Sequence, residues 1–260
     1  MGTADRYAGV AEGWATAASR VYAPLARDLV SAVPRPLAGA VVLDAGAGTG
    51  LVSVALRAAG ARPVAVDLSL DMLRWRRAER PPAVVAAVER MPLSSGVVDA
   101  VLAAFVLNHL PDPEPALREF ARVARPGGPV LATVFANSSR SSARDRIDEV
   151  AEAHGFRRPD WYQELKDVWA PRLGTAEAMA AAGRAAGLIA VQAAEYAVDT
   201  GLECAVDLVD YRLSQAHVRD WVAGLDPEDR AALRAAAVAA VEPIMEPYRP
   251  RVVRLLAKAK

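Results

Sequence analysis

The stretch Val41-Val42-Leu43-Asp44-Ala45-Gly46-Ala47-Gly48-Thr49-Gly50 decides how the chain is read. It starts as a short apolar run with β-branched residues, the pattern of a strand buried on both faces. It then passes straight into glycines, and the apolar helix pattern Leu51 to Gly60 follows. Glycines at such a junction allow a tight turn, close approach of a ligand to the backbone and close packing of helix on strand. The junction lies at the carboxyl end of a strand, where open α/β sheets bind ligands. Two ligand types compete. A dinucleotide site needs G-x-G-x-x-G so that a pyrophosphate can rest on the helix N-terminus. Here Gly46, Gly48 and Gly50 are spaced G-x-G-x-G, and Asp44 precedes the first glycine by two positions. An acid there suits an ammonium group, bound directly or through water, better than it suits a pyrophosphate.

Outward from this junction the strand-then-helix rhythm repeats. Residues 61–67 read as a strand that closes on Asp67, and 69–79 as a helix with Ser69 as N-cap. Asp67 stands 21 residues after Gly46, where an acid can accept hydrogen bonds from ribose hydroxyls in either ligand type. Further strands are expected at 83–88, 97–106 and 129–136, with a helix over 112–124. Alternating strands and helices imply a parallel sheet covered on both faces.

The rhythm changes beyond Ala136. Residues 138–170 read as an inserted, mostly helical segment. A helix capped by Thr175 and stopped by Gly187 comes next, followed by a sixth strand over 188–198. Residues 203–246 read as two amphipathic helices separated by Gly224 and Asp226-Pro227. The end, 250–260, reads as a strand whose basic residues would guard a sheet edge. At the other end, Tyr7, Val10, Trp14, Val21, Leu25 and Leu29 recur as on helices over residues 3–32, before the break at Pro34-Arg35-Pro36.

Four blocks in order resemble the class I S-adenosylmethionine (SAM)-dependent methyltransferases. They are VVLDAGAGTG, AVDLSLDML, VERMPL, and VVDAVLAAFVLNHLPDPEPALREFARVARPGG. The resemblance is to the small-molecule branch, methyltransferase type 11, which includes ubiquinone and menaquinone methyltransferases. It is good over residues 41–135 and loose elsewhere. It implies one Rossmann-like α/β domain over 1–260, with a seven-stranded, mostly parallel sheet of order 3-2-1-4-5-7-6 and an antiparallel last strand. Helices would cover both faces, with cap insertions at about 138–170 and 203–246. For the cofactor it implies that Asp44, Gly46, Gly48 and Gly50 surround the methionine part of SAM. Asp67 would hold the ribose, with Leu68 beside it. Met72 would pack on the adenine, Val88 and Glu89 would lie along its edge, and Phe105 would sit near the methionine part. The sequence departs from the family at Ala87, where many relatives carry an Asp that accepts from the adenine amino group.

The reaction the resemblance implies is methyl transfer to a small molecule, either of secondary metabolism or with a quinone-like ring, giving S-adenosylhomocysteine. Three histidines are present, His109, His154 and His217. His109, in LNHLPD just past the fourth strand, is the candidate base, since an imidazole titrates near pH 6.5; packing against the cofactor is the other role open to it. Asn108 is a candidate for orienting a substrate. His154 and His217 are expected at the surface. Trp161, Tyr162, Trp169, Tyr211 and Trp221 either line an acceptor pocket or anchor the cap, and anchoring is expected for most of them. Rival readings are a SAM-binding enzyme catalysing a cyclisation, an NAD(P)-dependent oxidoreductase, and a non-enzymatic binding protein.

Composition narrows the rest. Apolar residues make up 53% and charged residues 24%, enough for a large core. Formal net charge is zero, which gives no electrostatic attraction to a nucleic acid. The one cysteine, Cys204, is expected to be a small buried apolar residue. No secretory leader, membrane span or metal-ligand spacing is read, so a cytoplasmic monomer or homodimer without a metal is expected.

Overall fold

The computed structural model describes residues 11–260. Its sheet has seven strands: β1 (Val41–Ala45), β2 (Arg62–Asp67), β3 (Ala83–Val85), β4 (Ala100–Ala104), β5 (Pro129–Phe135), β6 (Ile189–Ala197) and β7 (Arg251–Lys258). The order is β3-β2-β1-β4-β5-β7-β6, as expected. Strands β1 to β5 run parallel, and β7 pairs antiparallel with both β5 and β6.

Each central strand is buried on both faces, and its side chains alternate between two cores. Leu43, Val101 and Val130 point to the face covered by α5 (Glu114–Val123) and α8 (Ala176–Ala185). Val42, Leu102 and Leu131 point to the face covered by α2 (Ser19–Ser31) and α3 (Leu51–Ala58). A short α1 (Ala11–Gly13) and a π-helical turn at Trp14–Ala18 lead into α2. Tyr7 and Val10 of the expected N-terminal helices lie outside the described residues. Helix α4 (Leu70–Arg74) starts at Ser69, whose hydroxyl accepts from the Met72 amide at 3.3 Å. Thr175 caps α8 in the same way, through the Ala178 amide.

A third cluster sits over the carboxyl end of the sheet. It combines α6 (Ser142–Ala153), α9 (Ala205–Leu213), α10 (Ala216–Gly224) and α11 (Pro227–Val241) with Val21 and Leu25 of α2 and with Phe105. A short α7 (Asp160–Glu164) runs on into a π-helical turn, Leu165–Trp169.

Several expectations are corrected. Residues 203–246 hold three helices, not two. Gln215 turns to an extended conformation between α9 and α10, and the hydroxyl of Ser214 and the amide of Gln215 both donate to the Tyr211 carbonyl. The third strand stops at Val85, since its last partner, Asp67, ends β2. The fourth stops at Ala104, since Phe105 takes φ +56°. Strand β7 is not an edge. Its Arg251 pairs with Glu195 of β6, and its Arg254 reaches Asp28 at 3.4 Å and stacks over Tyr196. Cys204 is exposed, because it occupies the position just before α9.

Truncating a side chain in the α5 core tests this packing. Phe120→Ala, at a fully buried position, is expected to cost about 3–5 kcal/mol in urea unfolding. Val54→Ala, 64% exposed on α3, is expected to stay within about 0.5 kcal/mol.

Candidate functional site

The sheet order reverses direction between β1 and β4, and a ligand crevice is expected outside the carboxyl ends of those strands. A cavity of about 200 Å³ opens there. Asp44, Gly46, Gly48, Asp67, Leu68, Met72, Val88, Glu89, Phe105 and His109 all line it. Of the residues singled out in the sequence for the cofactor, only Gly50 does not. It stands at the start of α3 with φ +93°, and its backbone faces Arg80.

The glycine turn has no room for a side chain at its first glycine. Gly46 has φ +71°, and a Cβ there would lie 2.6 Å from the Val106 side chain. The Gly46 amide donates to the Val66 carbonyl of β2 at 2.8 Å. Asp67 holds the turn from the next strand. One of its oxygens accepts from the Gly48 amide at 2.7 Å and the other from the Ser69 amide at 2.8 Å. Each carboxylate oxygen keeps a second lone pair for a ligand hydroxyl. Burial raises the Asp67 carboxyl above the ordinary value, against these hydrogen bonds and the charge of Arg80.

Asp44 is 1% exposed. A single oxygen accepts from both the amide and the hydroxyl of Ser53, at 2.9 and 2.6 Å. Burial pushes its carboxyl up to about 6, although Ser53 and Arg80 oppose the shift. Thr49, also in the cavity wall, has a buried hydroxyl with no partner. An acid at the floor, a hydroxyl without a partner and bare backbone around them gather polar groups at one end of the cavity.

Sequence reasoning missed Arg80. Its Nη2 donates to the Gly48 carbonyl at 2.6 Å and its Nε to the Trp75 carbonyl at 2.9 Å. It thus braces the glycine turn from behind, and nothing in the arginine-rich run around it marks it out. Tyr22 of α2 was missed as well; its ring packs edge-on to Phe105 at 5.3 Å. Phe105 itself combines two roles, lining the cavity and packing on Phe135 at 4.5 Å. Ala87, Val88 and Glu89 continue past β3 into the wall, so the position of the missing Asp does face the cavity.

A second cavity of about 270 Å³ adjoins the first, with Tyr22 and His109 in the walls of both. Trp161, Tyr162 and Tyr211 line it. Trp169 is instead buried, and Trp221 packs on Phe156 at 5.3 Å. Asn108 also faces this cavity, with its carbonyl oxygen buried and unpartnered. His154 is exposed, as expected. His217 is not a surface residue. It is 7% exposed, lines the second cavity and stacks on Tyr162 at 3.6 Å. Burial, helped by Arg212, Arg158, Lys166 and Arg144, pushes its imidazole down to about 2 and keeps it neutral.

Comparisons with known proteins agree with this geometry. The family described as "Methyltransferase domain" matches residues 43–132. The demethylmenaquinone methyltransferase of Mycolicibacterium paratuberculosis is 34% identical over 175 residues, covering 60% of this chain and 76% of that protein. That of Mycobacterium tuberculosis is 40% identical over 103 residues, 40% of this chain and 44% of its own length. Among solved structures, a chain from the complex of the Haloferax volcanii Trm112 methyltransferase activator with the putative methyltransferase aligns with a TM-score of 0.61 at 18% identity. It covers 99% of this chain and 97% of that one. The [4+2]-cyclase SpnF aligns with a TM-score of 0.54 at 19% identity, over 93% and 81% of the two chains. Similarity at this level of identity reports the fold.

The raised Asp44 carboxyl has a measurable consequence. Its folded value, about 6, lies above the ordinary 3.8. Its contribution to stability is therefore complete at acid pH and is lost as pH rises through that window. Asp44→Asn removes this loss. Between about pH 4 and about pH 7 the stability difference is expected to move toward the variant by up to about 3 kcal/mol. Denaturant unfolding at both pH values measures it, and a difference independent of pH would contradict the assignment.

Proposed function

The chain belongs to the class I SAM-dependent methyltransferases, in the branch that includes the demethylmenaquinone methyltransferases, and we propose that it binds SAM and transfers a methyl group to a small molecule. The observation that carries this reading is the first cavity, where Asp44, Asp67 and the positive-φ glycines meet at the switch point of the sheet. Bound SAM supplies an electrophilic methyl group on a sulfonium.

The protein supplies position. Asp44 and Thr49 face the ammonium end, while Gly46 and Gly48 keep the backbone close to the ligand and Gly50 turns the chain into α3. Asp67 accepts from the ribose hydroxyls without giving up Gly48 or Ser69, and Leu68 lies beside it. Met72 and Val88 form the apolar walls for the adenine, with Glu89 along its edge. Phe105, held by Phe135 and Tyr22, closes the methionine end. His109 stands where both cavities share a wall, and it takes up the acceptor's proton there. Alignment and proximity are the main catalytic contributions in such a displacement. The segments at about 138–170 and 203–246 act as the cap that encloses the acceptor within one domain. Acceptors with a quinone-like or other aromatic ring suit the walls formed by Trp161, Tyr162 and Tyr211.

A second reading keeps the cofactor and changes the reaction. The likeness to the fold of a [4+2]-cyclase favours it, because a fold does not dictate its chemistry. Release of S-adenosylhomocysteine with an acceptor present separates the two, since a cyclisation consumes no SAM.

Calorimetry tests the cofactor. SAM is expected to bind with Kd on the order of micromolar, and Asp67→Ala to weaken it roughly tenfold or more. NAD(H) is expected to give no heat. Heat from NAD(H) in place of SAM would overturn the reading.

A further inference from the structure

The second cavity is unusual in its charge. Arg140, Arg144, Arg158, Lys166 and Arg212 line it, against only Asp145 and Asp148. Asp148 is already engaged: its two oxygens accept from Arg212 at 2.7 and 2.6 Å, and Arg158 stands 3.7 Å away. Arg158 also pairs with Glu152 at 3.1 Å. The remaining cations have no carboxylate. Among the described residues Arg140, Arg144 and Lys166 make no ion pair. Arg144 donates through Nη1 to the Tyr248 hydroxyl at 2.9 Å, and its Nε is buried without an acceptor. Lys166 is lowered from the ordinary lysine value, first by desolvation and then by Arg144, Arg212 and Arg140, although Tyr162 acts the other way.

A cluster of like charges around a cavity is destabilising unless something compensates it. A cavity that receives only neutral rings has no use for such a field. We propose that this cavity is the acceptor site and that it selects an acceptor carrying an anionic group, a carboxylate or a phosphate, held by Arg144 and Lys166. The proposal rests on the methyltransferase reading above, which makes the neighbouring cavity the cofactor site. Guanidinium and ammonium groups bind such oxyanions through short, charge-assisted hydrogen bonds. The aromatic walls take the body of the acceptor. Asn108, with an unpartnered carbonyl oxygen, takes a hydroxyl or amine donor. Tyr22 and His109 line the side toward the cofactor, so the end of the acceptor that receives the methyl group lies there.

The test uses full-length protein saturated with S-adenosylhomocysteine. Para-hydroxybenzoate, phenyl phosphate and neutral para-hydroxybenzamide are titrated in turn by calorimetry. At least one anion is expected to bind roughly tenfold or more tightly than the amide, and whichever anion wins identifies the headgroup. Lys166→Gln is expected to weaken the anion several-fold, and Arg144→Gln more strongly. Neither change is expected to alter amide binding. Equal binding of amide and anions, no binding of any probe, or anion binding that survives both substitutions would overturn the proposal. Failure of S-adenosylhomocysteine itself to bind would instead count against the cofactor reading, and the anion preference would then be read on the protein alone.

Discussion

The carboxylate of Asp67 joins the two loops on which the first cavity depends. It leaves the end of β2 and accepts from Gly48, in the loop after β1, and from Ser69, which opens the next helix. The Gly46 amide already crosses to the Val66 carbonyl of β2, and the bond from Gly48 to Asp67 adds a further link between the two strand ends. Such a bond is strong because its acceptor is charged and partly sheltered from water. Placing the acid there has a cost, since burial raises its carboxyl. Arg80 offsets part of that cost from behind the glycine turn, and it fixes the Gly48 carbonyl at the same time. Asp44 repeats the arrangement one strand over, with Ser53 as its partner. One buried acid, one half-buried acid and one arginine therefore hold a glycine-rich turn in place.

The helical layer over the carboxyl end of the sheet is built differently. Over the sheet, apolar side chains alternate into two regular cores. Over the carboxyl end, helices from distant parts of the chain converge, and their shared cluster reaches the sheet through Phe105 and Val252. Phe105 is the hinge between these regimes. Its positive φ ends β4 and turns its ring up against Tyr22 and Phe135. A bulky residue in that conformation is strained, and such strain gathers at functional sites. The same residue thus ends the strand, seals the cavity and anchors the cap.

How much of this was legible in the sequence follows from the range of each interaction. The strand-to-helix junctions around Gly46 and Asp67 are local, so their chemistry stands in the sequence. Ser69 and Thr175 could be recognised as caps because a cap acts over three residues. The break at Gln215 was missed because it carries neither glycine nor proline; side-chain bonds to Tyr211 make the turn instead. The early end of β3 depends on where its neighbour stops, which no window of residues reveals. The C-terminal run was taken for an edge because it is basic, yet Arg251 and Arg254 are matched to Glu195 and Asp28 across space. His217 gives no local sign of burial. Its place is set by a stack with Tyr162, 55 positions earlier.

The charges of the second cavity follow the same rule most strongly. Arg144 lies on α6, Lys166 in a π-helical turn and Arg212 on α9, and in sequence each is one of many basic residues balanced by as many acids. Net charge zero gives no electrostatic reason to expect a polyanion as partner. It says nothing about a concave wall, where low-dielectric surroundings concentrate the field of a few charges. His217 registers that field, since its imidazole is held neutral in part by four of the cations around it. A chain can therefore be electrically balanced overall and still present a strongly positive pocket, when folding brings its arginines together and leaves their counter-charges elsewhere. In this fold the sheet contributes few charges to that pocket, and the helices above it contribute most of them. The charges of the second cavity can then change with those helices while the glycine turn and its two acids stay as they are.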